Sequence, residues 1–93
     1  MQITWSDLAK HSLQNIFNYL AIEASFEVAD TMVNRIIDKG ELLIHSPYMG
    51  KVLSKYVREL VIVNYPYVIL YEITNNEINI LNVLHESTNW RNH

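Results

Sequence analysis

Apolar positions change their spacing once along this chain. Up to Ile44 they recur every three or four residues, and from Val57 onward they tend to alternate. Leu13, Ile16, Phe17 and Leu20 fall at i, i+3, i+4 and i+7, the stripe of an amphipathic helix, with Asp7, Lys10, Gln14 and Asn18 on the polar side. Ser6 suits the N-cap, because its hydroxyl can accept from a first-turn N–H, and Asp7 complements the positive helix end. This predicts a helix from about Asp7 to Ile22, preceded by a short β-prone run, Gln2 to Trp5. A second helix begins after the candidate cap Ser25, with Glu27 in its first turn. Phe26, Ala29, Val33, Ile36, Ile37, Leu43 and Ile44 keep helical spacing until Pro47 forbids continuation. With a link only at 23–25, the two helices must pair as an antiparallel αα-hairpin.

Gly40 lies on the apolar side of the second helix. A glycine inside a helix costs about 1 kcal/mol against alanine, so close approach of the sheet or the first helix is expected there; the alternative is a helix that breaks at Gly40. Trp5 is expected to pack under the helices.

After the loop Ser46–Gly50, the stretch Arg58 to His85 holds three β-rich runs, separated at Asn64-Tyr65-Pro66 and Thr74-Asn75-Asn76. Such runs bounded by turn residues read as a three-stranded antiparallel meander. Strict alternation places Leu81, Val83 and His85 on one face of the last strand, and Ile78, Ile80, Asn82 and Leu84 on the other. Both faces of the meander are largely apolar. The helix pair can cover one, and an open apolar face implies a partner. The resulting class is α+β, in the order β-α-α-β-β-β, as one domain over residues 1–93.

Composition narrows the function only by exclusion. The 93 residues include no cysteine, so there is no disulfide framework and no thiolate metal site. His11, His45, His85 and His93 show no metal-ligand spacing, and neither a metal nor a cofactor is expected. No apolar run reaches the roughly 20 residues of a membrane span, and the N-terminus lacks a signal-peptide pattern; a cytoplasmic protein without membrane contact is the expectation. Net charge is −3, against the basic excess of a free nucleic-acid binder. The one basic patch is Pro47 to Arg58, where Lys51, Lys55 and Arg58 occur with no acid.

Particular residues accompany this element order. Trp5 and Ala9 open it, Leu43-x-x-x-Pro47-x-x-Gly50 closes the second helix, and Arg58-Glu59-Leu60 starts the meander. Tyr67-x-x-x-Tyr71 then precedes Ile80-Leu81-x-Val83-Leu84-His85. Over about residues 2–90 the chain resembles the RelE/ParE superfamily of toxins from bacterial type II toxin–antitoxin modules. The resemblance implies growth arrest, plasmid stabilisation and neutralisation by a cognate antitoxin that wraps across the sheet and helices. It also implies one of two targets. ParE-like members block DNA gyrase and trap cleaved DNA without known hydrolysis of their own; RelE-like members cut mRNA on the ribosome. The Val-Leu-His ending looks more like ParE. A nuclease working among dense phosphates needs cations for docking and charge stabilisation, yet the last strand, Glu77 to His85, has no Arg and no Tyr follows Tyr71. A binding inhibitor of gyrase is therefore the leading expectation, a RelE-type endonuclease the alternative, and an inactive antitoxin-binding member the third.

The candidate contact residues are Lys51, Lys55, Arg58, His85, Trp90 and Arg91. Under the nuclease reading, Arg58 would stabilise the transition state and His85 would move the proton, with Glu59 or Glu86 completing the set. For each there is a plainer role. Arg58 next to Glu59 reads as a surface ion pair worth under about 1 kcal/mol, Lys51 and Lys55 as solvated loop charges, and His85 as a strand end bonded to backbone. Tyr65, Tyr67 and Tyr71 read as cross-strand packing before base stacking. Trp90, an aromatic in a polar tail, suits a partner anchor.

Overall fold

The computed structural model describes residues 1–87. Its elements run β1 (Gln2–Trp5), α1 (Asp7–Glu23), α2 (Phe26–Glu41), a single 3-10 turn (Leu42–Ile44), β2 (Lys51–Val52), β3 (Val57–Val61), β4 (Tyr67–Thr74) and β5 (Glu77–His85). Both serine caps act as the sequence implies: the Ser6 hydroxyl accepts from Ala9 N at 3.0 Å, and that of Ser25 from Val28 N at 3.1 Å. Ser6 also donates to Leu81 O at 2.8 Å, so the start of α1 is fastened to the last strand. Phe26 departs from its expected core position. It is 63 % exposed and meets Phe17 edge-on, with ring centroids 5.4 Å apart.

The helix runs through Gly40 and tightens into the 3-10 turn only after Glu41. The close neighbour at Gly40 is Trp5 of β1. A Cβ there would lie 2.6 Å from Trp5 Cζ2 and 2.8 Å from Cη2. The indole thus lies on the one position of α2 without a side chain, and its Nε1 donates to Glu41 Oε1 at 3.2 Å.

The sheet has five strands, ordered β1-β5-β4-β3-β2. The antiparallel meander β3-β4-β5 is its centre. The expected first strand, Gln2–Trp5, forms one edge and joins β5 in parallel, with Ile3 opposite Ile78 and Trp5 opposite Ile80; the other edge, β2, is not expected from sequence and pairs two residues with β3. The β4–β5 hairpin turns through Asn75 and Asn76 at φ 51° and 60°, the paired left-handed residues of a type I′ turn, a conformation in which asparagine is favoured.

A bulge in β5 corrects the strict alternation. Leu70 faces Asn82 while Tyr71 faces Ile80, so Leu81 has no opposite residue on β4. The inserted residue reverses the alternation. Ile78 and Ile80 before it, and Val83 after it, point to the same buried face, opposite Ile73, Tyr71 and Ile69 in turn. Asn82 is bonded at its Oδ1 by Val83 N and by the Ser12 hydroxyl of α1. The buried face joins Leu60, Ile62, Tyr67, Ile69 and Tyr71 to Ala9, Ile36 and Leu43 from the helical half. The second face is less open than its pattern implies: Val68 is fully buried and Glu59 nearly so, and of its valines in β3 only Val61 is exposed.

Candidate functional site

Two places on the molecule gather the sequence-predicted residues. The first is the corner where the chain leaves the helices and enters the sheet. Tyr71, fully buried on β4, reaches this corner with its hydroxyl. The oxygen accepts from Gly50 N at 2.9 Å and donates to Pro47 O at 2.8 Å. Burial raises the Tyr71 pKa above the usual tyrosine value, against smaller lowering effects of the Gly50 N–H and the Arg58 charge. Gly50 is small by necessity, since a Cβ would sit 2.6 Å from the Tyr71 hydroxyl and 2.8 Å from Glu59 O.

Arg58 stands opposite Tyr71 across β3–β4. Its Nη1 donates to Gly50 O at 2.8 Å and to Tyr48 O at 3.3 Å, and its guanidinium lies 5.0 Å from the centre of the Tyr48 ring. The planar fork is therefore occupied on one side by the loop carbonyls it organises. This is a third role beside the surface ion pair and the phosphate contact expected from sequence. Lys51 faces Glu59 across β2–β3, and Lys55 lies over the Tyr56 ring at 5.3 Å. Every residue from 51 to 56 is exposed, as are Tyr48 and Met49. The result is a basic, aromatic lobe. Sequence reading found its charges but not its exposed Tyr48, Val52 and Tyr56; the available signal was a run of apolar residues with no helical or strand period beside two lysines.

The second place is the end of β5. His85 is exposed, edge-on to Tyr67 with ring centroids 5.3 Å apart. Its Nδ1 accepts from Ser87 N at 3.0 Å and lies 2.7 Å from the Ser87 hydroxyl oxygen. A backbone N–H can only donate, so Nδ1 is the acceptor and the neutral ring carries its proton on Nε2. His85, Ser87 and Tyr67 line a groove of about 430 Å³ with Asn15, Ile16 and Tyr19 of α1. The Tyr67 pKa is raised, chiefly by burial and then by Tyr19. Tyr67 and Tyr71 are buried, which leaves their faces to cross-strand packing and not to bases.

The structure does not bring Arg58 and His85 together. Arg58 is level with Tyr71 and His85 with Tyr67, four residues apart along β4 and on strands that flank it. At about 3.3 Å per residue and about 4.8 Å per strand, their backbones are roughly 16 Å apart. An acid–base group must be within hydrogen-bond reach of its proton. Glu59 points to the opposite sheet face from Arg58, being adjacent on the same strand. Trp90 and Arg91 lie outside the described residues. Among the described residues no group of three or more His, Asp or Glu is placed to hold a metal, and no helix is long and apolar enough to cross a membrane.

A further surface was not singled out by sequence. Leu13 and Phe17 of α1 and Val33 and Ile37 of α2 line a shallow apolar groove of about 290 Å³ between the helices, with Lys10 and Gln14 at its margin.

Comparison with known proteins agrees with this architecture. The solved structure described as "Chromosomal ParDE TA system from P. aeruginosa" matches with a TM-score of 0.83 and 22% identity, over 91% of this chain and 95% of that chain. No curated protein matches. The profile of the family described as "ParE toxin of type II toxin-antitoxin system, parDE" matches residues 3–90. With nearly its whole length covered by that profile, the chain belongs to the ParE toxin family of type II toxin–antitoxin systems.

Proposed function

We propose that this ParE-family chain is a cytoplasmic protein toxin that inhibits DNA gyrase by binding it, and that a cognate antitoxin neutralises it. Family membership over residues 3–90 carries the reading. Two features of the chain support binding over hydrolysis. The last strand has no arginine, and the one arginine of the neighbouring strands, Arg58, is engaged by Gly50 O and Tyr48 O, far from His85. The apolar groove between α1 and α2 suits an antitoxin segment with an apolar helical face.

Purified toxin added to gyrase, ATP and relaxed plasmid tests the reading. Supercoiling should stop and linear, enzyme-linked DNA should accumulate; uninterrupted supercoiling without cleaved DNA refutes it. The alternative, cleavage of mRNA on the ribosome, is favoured by one observation, the His85–Ser87 pair in a tyrosine-lined groove. Translating ribosomes whose mRNA stays intact would remove it. If neither assay responds while the antitoxin still binds, the chain is an inactive member of its module.

A further inference from the structure

Charge is sorted along this chain. Between Lys10 and Arg35 there is no Lys or Arg, and Glu23, Glu27 and Asp30 make that stretch −3; between Glu41 and Glu59 there is no acid, and Lys51, Lys55 and Arg58 make it +3. Each stretch also exposes large apolar side chains. At the turn between the helices Ile22 is 81 % and Phe26 63 % exposed; in the lobe Tyr48 is 67 %, Val52 58 % and Tyr56 60 % exposed. Scattered apolar surface residues are ordinary, but clusters of them beside one sign of charge mark contact surfaces.

The two clusters sit at opposite ends of the fold. Glu27 and Val28 border a groove with Tyr65, in the turn before β4, whereas the loop leading into the lobe rests on Tyr71, within β4. The 16 residues of α2, from Phe26 at the tip to Glu41 on the way to the lobe, separate the two by about 24 Å. The acidic tip therefore cannot meet the basic lobe of its own chain.

We propose that the basic lobe, Tyr48 to Tyr56, docks on the acidic helical tip, Ile22 to Asp30, of a second copy of this chain. Opposite charges steer the encounter, and burial of Tyr56 and Val52 against Ile22 and Phe26 supplies the holding energy. Because the two surfaces are different and lie at opposite ends, the contact is head-to-tail and leaves a free lobe and a free tip for further copies. Nucleic acid fits the lobe less well. Three cations in a chain of net charge −3 give little of the positive excess that phosphate binding needs, whereas they match the three acids of the tip.

Sedimentation velocity over a wide concentration range, at low and high salt, tests this with two variants. Lys55→Glu/Tyr56→Ser spoils the lobe and keeps the tip; Ile22→Ser/Phe26→Ser spoils the tip and keeps the lobe. The wild-type chain should grow in mass with concentration and shrink with salt. Each variant alone should associate at least tenfold more weakly. An equimolar mixture should form a one-to-one dimer and nothing larger, because only one native lobe and one native tip are present per pair. Wild-type chain that stays monomeric at low salt overturns the proposal. So does a mixture that stays monomeric, or a variant that associates as well as wild type. Should the tip variant fail to fold, Ile22→Gln at its far more exposed position replaces it, with the same outcomes.

Discussion

Gly40 and Trp5 make a quantitative test of how the first strand is held against the second helix. Replacing Gly40 by alanine in an ordinary helix stabilises by about 1 kcal/mol, because alanine loses less backbone freedom. Here the new Cβ would stand 2.6 Å and 2.8 Å from two ring carbons of Trp5. The indole cannot flex at those atoms, and its Nε1 bond to Glu41 restrains rotation. Either the ring swings or β1 shifts, and overpacking of this kind costs about 1–3 kcal/mol. The net expectation for Gly40→Ala is a loss of about 1 kcal/mol, equal to about 4–8 °C in a domain of this size. Trp5→Phe removes the obstructing atoms. In that background Gly40→Ala should gain up to about 1 kcal/mol, so the substitution changes sign, with a coupling of about 1–3 kcal/mol. Urea unfolding of the four proteins, fitted with their own m-values, measures the cycle. A stabilising Gly40→Ala in the wild-type background, or equal effects in both, would refute the account of Gly40 as a seat for the indole.

Tyr71→Phe should cost about 1–3 kcal/mol, since it leaves the Gly50 N–H without its buried acceptor. The same residue gives a pH dependence. Its folded pKa is raised above the unfolded value, so its contribution is complete below about pH 10 and is lost as pH rises through the folded value. The urea midpoint of the wild type should fall in that alkaline range more than that of Tyr71→Phe, with tyrosinate absorbance reporting the ionisation; parallel curves would contradict the assignment. Ser25→Ala should cost about 1 kcal/mol as a lost N-cap. Ser6→Ala should cost more, because that hydroxyl also donates to Leu81 O; equal losses in thermal melts would show that the second bond contributes nothing.

What could be read from sequence was what local chemistry decides. Caps, helix phase and the turns at Asn75–Asn76 depend on residues within a few positions, and Ser6 and Ser25 act as their spacing implies. The order β-α-α-β-β-β and the central meander followed from the same signals. The face assignment of β5 failed at Leu81, because a bulge leaves no mark in a run where apolar residues occupy both phases. The run Gln2–Trp5 was legible as a strand but its parallel partner β5, 75 positions away, was not, and the two residues of β2 carry too little pattern to be read at all. The site was legible as a list of charges rather than as an arrangement. Arg58 could be recognised as the notable cation, but not the carbonyls of residues 48 and 50 that occupy it. Exposed apolar residues between 48 and 56 look, on paper, like any other core candidates.

The parallel pairing of β1 with β5 also sets a clock. Gln2 and Glu77 are opposite one another in the sheet, so 75 positions of synthesis separate the two partners. At roughly 5–20 residues per second, the first strand waits roughly 4–15 s for its neighbour. Until then β5 cannot receive the Trp5 strand, and the Ser6 hydroxyl lacks its anchor at Leu81 O. A growing chain therefore carries the residues of its helices before it carries those of the finished sheet. A partner that recognises only the αα-hairpin has a head start over one that needs the completed fold.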